Sequence, residues 1–147
     1  MEDIMQELIS SLSSDIEYTN YRVIGDKIEI HVRSKRIHAN CPVCGTQSSK
    51  LDTTYARKVQ DLPTLDKKTT LVVHMQSFKC INPECSRKAF AEEFDFVEPR
   101  AKRTKRLDKM IMGISIGASA VKAAEIMKAE GIAEVGKDTV LSLQKKK

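Results

Sequence analysis

Cys41-Pro-Val-Cys-Gly45 and Cys80-Ile-Asn-Pro-Glu-Cys85 are two close cysteine pairs, Cys-x2-Cys and Cys-x4-Cys, with 35 residues between them. Each pair lies on a turn-forming stretch: Pro42 fixes φ, and Gly45 can take the positive φ that follows a metal knuckle. Four thiolates are the number and type of donor that tetrahedral zinc requires. Cys41, Cys44, Cys80 and Cys85 are therefore the candidate ligands of one structural Zn2+ ion. Between the pairs, Thr53–Gln60 and Thr69–Phe78 read as strands rich in Thr, Val and Tyr. Asp61-Leu-Pro63 and Asp66-Lys-Lys68 supply the turn that joins them. That excursion brings the second pair back beside the first, as in a zinc ribbon. A redox Cys-x-x-Cys needs a strand–helix context, whereas both pairs here flank β-turns. A closed set of four protein ligands leaves no open coordination position, so the metal is structural and not catalytic.

Outward from the cysteines, composition narrows the class. The chain has 147 residues, 41% hydrophobic and 31% charged, with a formal net charge of +5. That length fits one ordinary domain or two small ones and excludes a large enzyme with its own deep active site. No apolar run approaches the roughly 20 residues that span a bilayer. Met1 to Ser14 carries three acids and no Lys or Arg, unlike a secretory leader. The expectation is a cytoplasmic protein without membrane contact, where paired cysteines favour metal over disulfide. The β-rich part has few large apolar residues, and structural zinc supplies on the order of 10 kcal/mol to the folding of such a module.

The order of elements predicts an α+β protein, a β-rich zinc-ribbon module followed by a three-helix helix-turn-helix module. Residues 1–19 hold an amphipathic helix with Ile4, Met5, Leu8, Ile9 and Leu12 at helical spacing. Residues 20–98 form the ribbon module. They open with a hairpin around Gly25-Asp26 and close with a short strand, Ala89–Phe94. His31 falls on the polar phase of the hairpin's second strand and reads as a surface side chain. His74, on the strand before Cys80, is not counted as a ligand. Residues 99–147 switch to a helical period. Leu107, Met110, Ile111 and Ile114 form one face, Gly117 can end that helix, and Ser119 can cap the next. Val121, Ala124 and Met127 continue to a break at Gly131, and Gly136–Lys145 buries Val140 and Leu143.

Charge is distributed unevenly. Residues 1–30 hold two basic and seven acidic residues, while residues 100–147 hold twelve and five. Arg100, Lys102, Arg103, Lys105, Arg106 and Lys109 crowd the start of the first tail helix, a pattern suited to phosphate contacts. The second and third tail helices have helix-turn-helix proportions, in which the last helix enters a major groove. Lys137, Asp138, Thr139, Ser142 and Lys145 are its candidate base- and phosphate-contacting residues. The partner implied is double-stranded DNA.

Cys41-Pro-Val-Cys-Gly45, Arg57-Lys-Val-Gln-Asp-Leu-Pro63, Phe78-Lys-Cys80, Asn82-Pro-Glu-Cys85, Arg87 and Phe90 resemble the zinc-binding N-terminal region of ISL-three type bacterial insertion-sequence transposases. Arg100-Ala-Lys-Arg-Thr104 and the helices after it are similar to that family's helix-turn-helix. The resemblance covers roughly residues 20 to 145. It implies recognition of the terminal inverted repeats of a mobile element. The family's acidic, RNase-H-like catalytic domain is expected after the third helix, where this chain stops at Lys147. The expectation is thus a DNA-binding, non-enzymatic chain. The alternative is a regulator or inhibitor of transposition or transcription, acting through the same fold or by pairing with itself or a full-length transposase through Met1 to Leu12.

Overall fold

In a computed structural model that describes residues 2–116 and 118–145, helix α1 (Glu2–Leu12) leads into a hairpin of β1 (Ile16–Ile24) and β2 (Lys27–Ser34). Gly25 turns that hairpin with φ of 60°, a conformation that costs glycine nothing. Two short strands, β3 (Ala39–Asn40) and β4 (Gln47–Ser48), pair antiparallel with Ala39 opposite Ser48. A second, longer hairpin follows, β5 (Leu51–Thr64) and β6 (Lys67–Lys79). β7 (Ala89–Ala91) lies antiparallel to the end of β6, Phe90 opposite Phe78. The main sheet has the order β1-β2-β6-β5, with β7 attached to β6. Three helices complete the chain, α2 (Lys105–Ser115), α3 (Ala120–Ala129) and α4 (Lys137–Lys145). The protein is α+β, as its sequence implies.

The chain divides into two compact units. One contains the described residues of Met1–Asn20, His31–Lys58 and Val72–Asp95. The other contains Tyr21–Ile30, Val59–Leu71 and the described residues of Phe96–Lys147. In the first, Gln6 of α1 accepts the Tyr18 N–H at 2.9 Å, which ties the helix to β1. Glu92, fully buried at its side chain, accepts the Ser34 hydroxyl at 2.6 Å and the Gln76 N–H at 2.7 Å. In the second, Leu107, Ile111, Ala123, Met127, Ala133, Val140 and Leu143 from α2, α3, α4 and the α3–α4 connection form one buried cluster. Thr104 caps α2 by accepting the Leu107 N–H, and Ser119 caps α3 by accepting the Lys122 N–H. Gly131 ends α3 with φ of 68°.

Several elements depart from their sequence reading. β1 starts at Ile16, ahead of residue 20, because Ile16 is an anchored core side chain at 1% exposure. Asp61, Leu62 and Pro63 are strand, not turn, and the β5–β6 turn is only Leu65-Asp66. Proline is tolerated there because β5 is an edge of the sheet order. The last strand stops at Ala91 instead of Phe94, where the buried Glu92 carboxylate takes over the contacts. On α2 the buried line is Leu107, Ile111 and Ser115, and Met110 is exposed. On α3 it is Ala120, Ala123 and Met127, with Val121 outward. Gly117, read as the end of the first tail helix, lies outside the described residues. Among the described residues no single helix is long and apolar enough to cross a membrane.

Candidate functional site

The β3–β4 ribbon, unrecognised in the sequence, builds the first cysteine knuckle. Cys41 N–H donates to the Thr46 carbonyl at 3.0 Å and Gly45 N–H to the Cys41 carbonyl at 2.8 Å, with Gly45 at φ 76°. The second knuckle is tied at both ends. Cys80 N–H donates to Lys88 O at 3.0 Å, and Cys85 N–H to Asn82 O at 3.1 Å. Asn82 also accepts the Glu84 N–H at 3.0 Å through its side chain, and the Arg87 N–H points at Cys85 Sγ at 3.4 Å. Amide donors aimed at sulfur stabilise thiolates. Behind the knuckles Cys41, Phe78 and Phe90 are buried together, the two rings 6.2 Å apart.

The four sulfurs lie within 4.8 Å of one another. Cys41 Sγ is 3.9 Å from Cys85 Sγ, and Cys44 Sγ is 3.6 Å from Cys80 Sγ. A tetrahedron of zinc–sulfur bonds places its sulfurs about 3.8 Å apart, so the donors already have the spacing of a zinc site. Both distances are far beyond the roughly 2.05 Å of a disulfide. Ionisation tells the same story. The Thr46 hydroxyl and N–H pull Cys44 down to about 6. Cys80 is pushed up to about 12: the Asn82 N–H opposes the rise, but burial and the neighbouring sulfurs outweigh it. Four thiolates this close cannot all ionise unless a cation offsets their repulsion. His74 is not part of the cluster. It stacks on His31 with a ring-nitrogen distance of 3.0 Å, so His31 is half-buried and partnered, a pairing with no signal in either local sequence.

Residues 37–85 match the family model for the zinc-finger of transposase IS204/IS1001/IS1096/IS1165. This stretch is similar to that family's zinc ribbon, with the four cysteines that could hold the metal. The match spans about a third of the chain and contains all four cysteines of the cluster. No curated protein and no solved structure matches the chain.

The residues singled out for nucleic acid are not equivalent. Arg100 is exposed and holds φ of 64°, and Lys102 is exposed. Lys105 Nζ is 3.6 Å from Glu98 with both side chains largely in solvent. Arg103 Nε donates to Asp108 at 2.6 Å, and Arg106 donates through Nε and Nη2 to Asp61. That bond to Asp61 raises the Arg106 guanidinium above its ordinary value. Lys137, Asp138, Ser142 and Lys145 are exposed on α4 and Thr139 is half-buried. One cleft brings together Arg103, Asp138, Thr139, Ser142 and Leu143. Arg100, Lys102, Lys105, Lys137 and Lys145 do not line it.

Proposed function

We propose that this chain is a zinc-stabilised DNA-binding module of the transposase type, in which zinc holds the ribbon and α2–α4 engage duplex DNA in helix-turn-helix fashion. The observation that carries the reading is the cleft joining Arg103 to Asp138, Thr139 and Ser142 of α4, because it sets a guanidinium of the basic segment beside polar side chains suited to reading base edges. The transposase zinc ribbon at residues 37–85 supports it independently. In this reading Arg100, Lys102 and Lys105 contact phosphates, Lys137 to Thr139 enter the major groove, and the target is an inverted-repeat end of a mobile element. With four protein ligands a zinc ion here would have no open position for substrate, so the metal is not expected to cut or join strands.

Fluorescence anisotropy with a labelled duplex tests this. Affinity is expected to fall with salt at a log–log slope of about −0.9 per phosphate contact, and Lys102→Gln should make that slope shallower by about 0.9. A flat titration at low salt would overturn the proposal. Magnesium-dependent strand cleavage would overturn its non-enzymatic part.

The second reading, a regulator that pairs with itself or with a full-length transposase, is favoured by α1. There Ile4 and Leu8, one helical turn apart, are 60% and 55% exposed. Light scattering decides it: a strict monomer that also fails to bind full-length transposase removes the pairing.

A further inference from the structure

We propose that Asp61 is the positioning residue of the basic segment, and that Arg106 is bound to Asp61 and contributes no phosphate contact. The inference rests on the DNA-binding reading and assigns a task to the Asp61-Leu62-Pro63 motif, which that reading leaves unused.

Asp61 is 3% exposed in the last part of β5. Its Oδ1 accepts the Thr104 hydroxyl at 2.8 Å and Arg106 Nε at 2.8 Å, while Oδ2 accepts Arg106 Nη2. Thr104, completely buried, is at the same time the N-cap of α2. The backbone beside it is stitched to the same strand: Gln60 N–H donates to Lys102 O at 2.8 Å, and Thr104 N–H to Gln60 O at 2.9 Å. Leu62, the next residue of the motif, packs on the helical core. One buried carboxylate thus fixes the cap, the first turn and the entry angle of α2.

The consequence is a division among residues that look alike in sequence. Arg106 spends its planar donor fork on Asp61 in a bidentate, charge-assisted pair. Lys102, stitched only through its carbonyl, and Lys105, which follows Thr104, are both exposed. Their spacing along a DNA backbone depends on the clamp, and a small misplacement of several charges weakens all contacts together.

The test compares Asp61→Asn, Arg106→Gln and Lys105→Gln in the zinc-loaded full chain, by anisotropy on a duplex from low to moderate salt, with folding followed by circular dichroism. Arg106→Gln is expected to lower affinity by a similar factor at every salt concentration, with the wild-type slope. Lys105→Gln is expected to make the slope shallower by about 0.9. Asp61→Asn, folded, should behave as Arg106→Gln does, and Thr104→Ser, which keeps the hydroxyl, should bind like the wild type. If Asp61→Asn fails to fold, Arg106→Gln decides, since its side chain is 45% exposed and tolerates truncation. A shallower slope in Arg106→Gln, or wild-type affinity in folded Asp61→Asn, overturns the clamp. No binding by the wild-type chain overturns the DNA reading instead, and this role with it.

Discussion

Cys44 Sγ and Cys80 Sγ lie 3.6 Å apart although 36 positions separate them in the chain. The β5–β6 hairpin between the knuckles brings them together, Lys79 N–H donating to Lys50 O at 2.8 Å ties the two segments, and a shared cation would hold the two sulfurs in register. Cys80→Ser is therefore expected to drop bound zinc from one per chain to well below one. Because the metal supplies on the order of 10 kcal/mol in modules of this kind, strand content should fall with it. Zinc determination on the purified chain and its far-ultraviolet circular dichroism check both. Full zinc occupancy in Cys80→Ser would contradict the assignment.

Zinc uptake should depend on pH in a direction set by Cys44. Its thiol, held down to about 6 first by the Thr46 hydroxyl, is ionised at pH 7, whereas Cys80, near 12, still carries its proton. Zinc must displace the Cys80 proton throughout the physiological range, so affinity rises with pH. Below about pH 6 Cys44 is protonated as well, and one more proton has to leave for each ion bound. The decline should then steepen by about tenfold per pH unit. Calorimetry in buffers of differing ionisation enthalpy counts the protons. Release of four at pH 7 would show that Cys44 is not pre-ionised.

The β5–β6 turn offers a stabilising change. Leu65 is 94% exposed and holds φ of 58°, in the left-handed region that disfavours residues with a Cβ. That conformation costs a non-glycine residue roughly 1–2 kcal/mol. Leu65→Gly removes the strain and loses almost no buried surface, while the greater freedom of glycine in the unfolded chain offsets part of the gain. A net gain of about 0.5–1 kcal/mol is expected, read as a higher urea midpoint with unchanged zinc content. A lower midpoint would mean that Leu65 makes a contact that outweighs the strain.

What the sequence disclosed and what it concealed divide by range. Cysteine spacing, Ser119 as a cap, Gly131 as a break and the buried pair Val140 and Leu143 are local features whose chemistry is legible within a few residues. Asp61-Leu62-Pro63 has the composition of a turn, but it is strand in β5 beside β6, and the Asp61 carboxylate finds its partner, Arg106, 45 positions away. His31 and His74 meet across 43 positions with no local signature. Met110 shows a subtler limit: periodicity finds the apolar stripe of α2 but not how much of its width the neighbouring helices cover. Of the candidate site, the ligand set was readable, since metal donors announce their chemistry. The unequal engagement of the six basic residues was not, because Asp61 and Asp108 choose among them by position in space.

Glu92 carries the largest expected loss outside the metal site. Its side chain is fully buried, yet it accepts the Ser34 hydroxyl, the Gln76 N–H and, at 3.5 Å, Arg36. Arg36 is also held by Asp15 at 2.8 Å and lies over the Phe94 ring, 4.8 Å from its centre. Truncation to Ala leaves the hydroxyl and the amide buried without their acceptor and opens a void beside β7. Such a break costs about 3 kcal/mol or more. Glu92→Gln keeps the volume and one acceptor oxygen but turns an amide NH2 towards a donor, so it should cost less than Ala and more than a surface change. Urea denaturation of the zinc-loaded chain measures both variants. Equal losses would mean that shape, not the carboxylate, is what the site requires, whereas a larger loss in Ala than in Gln, with zinc retained, is the outcome the geometry implies.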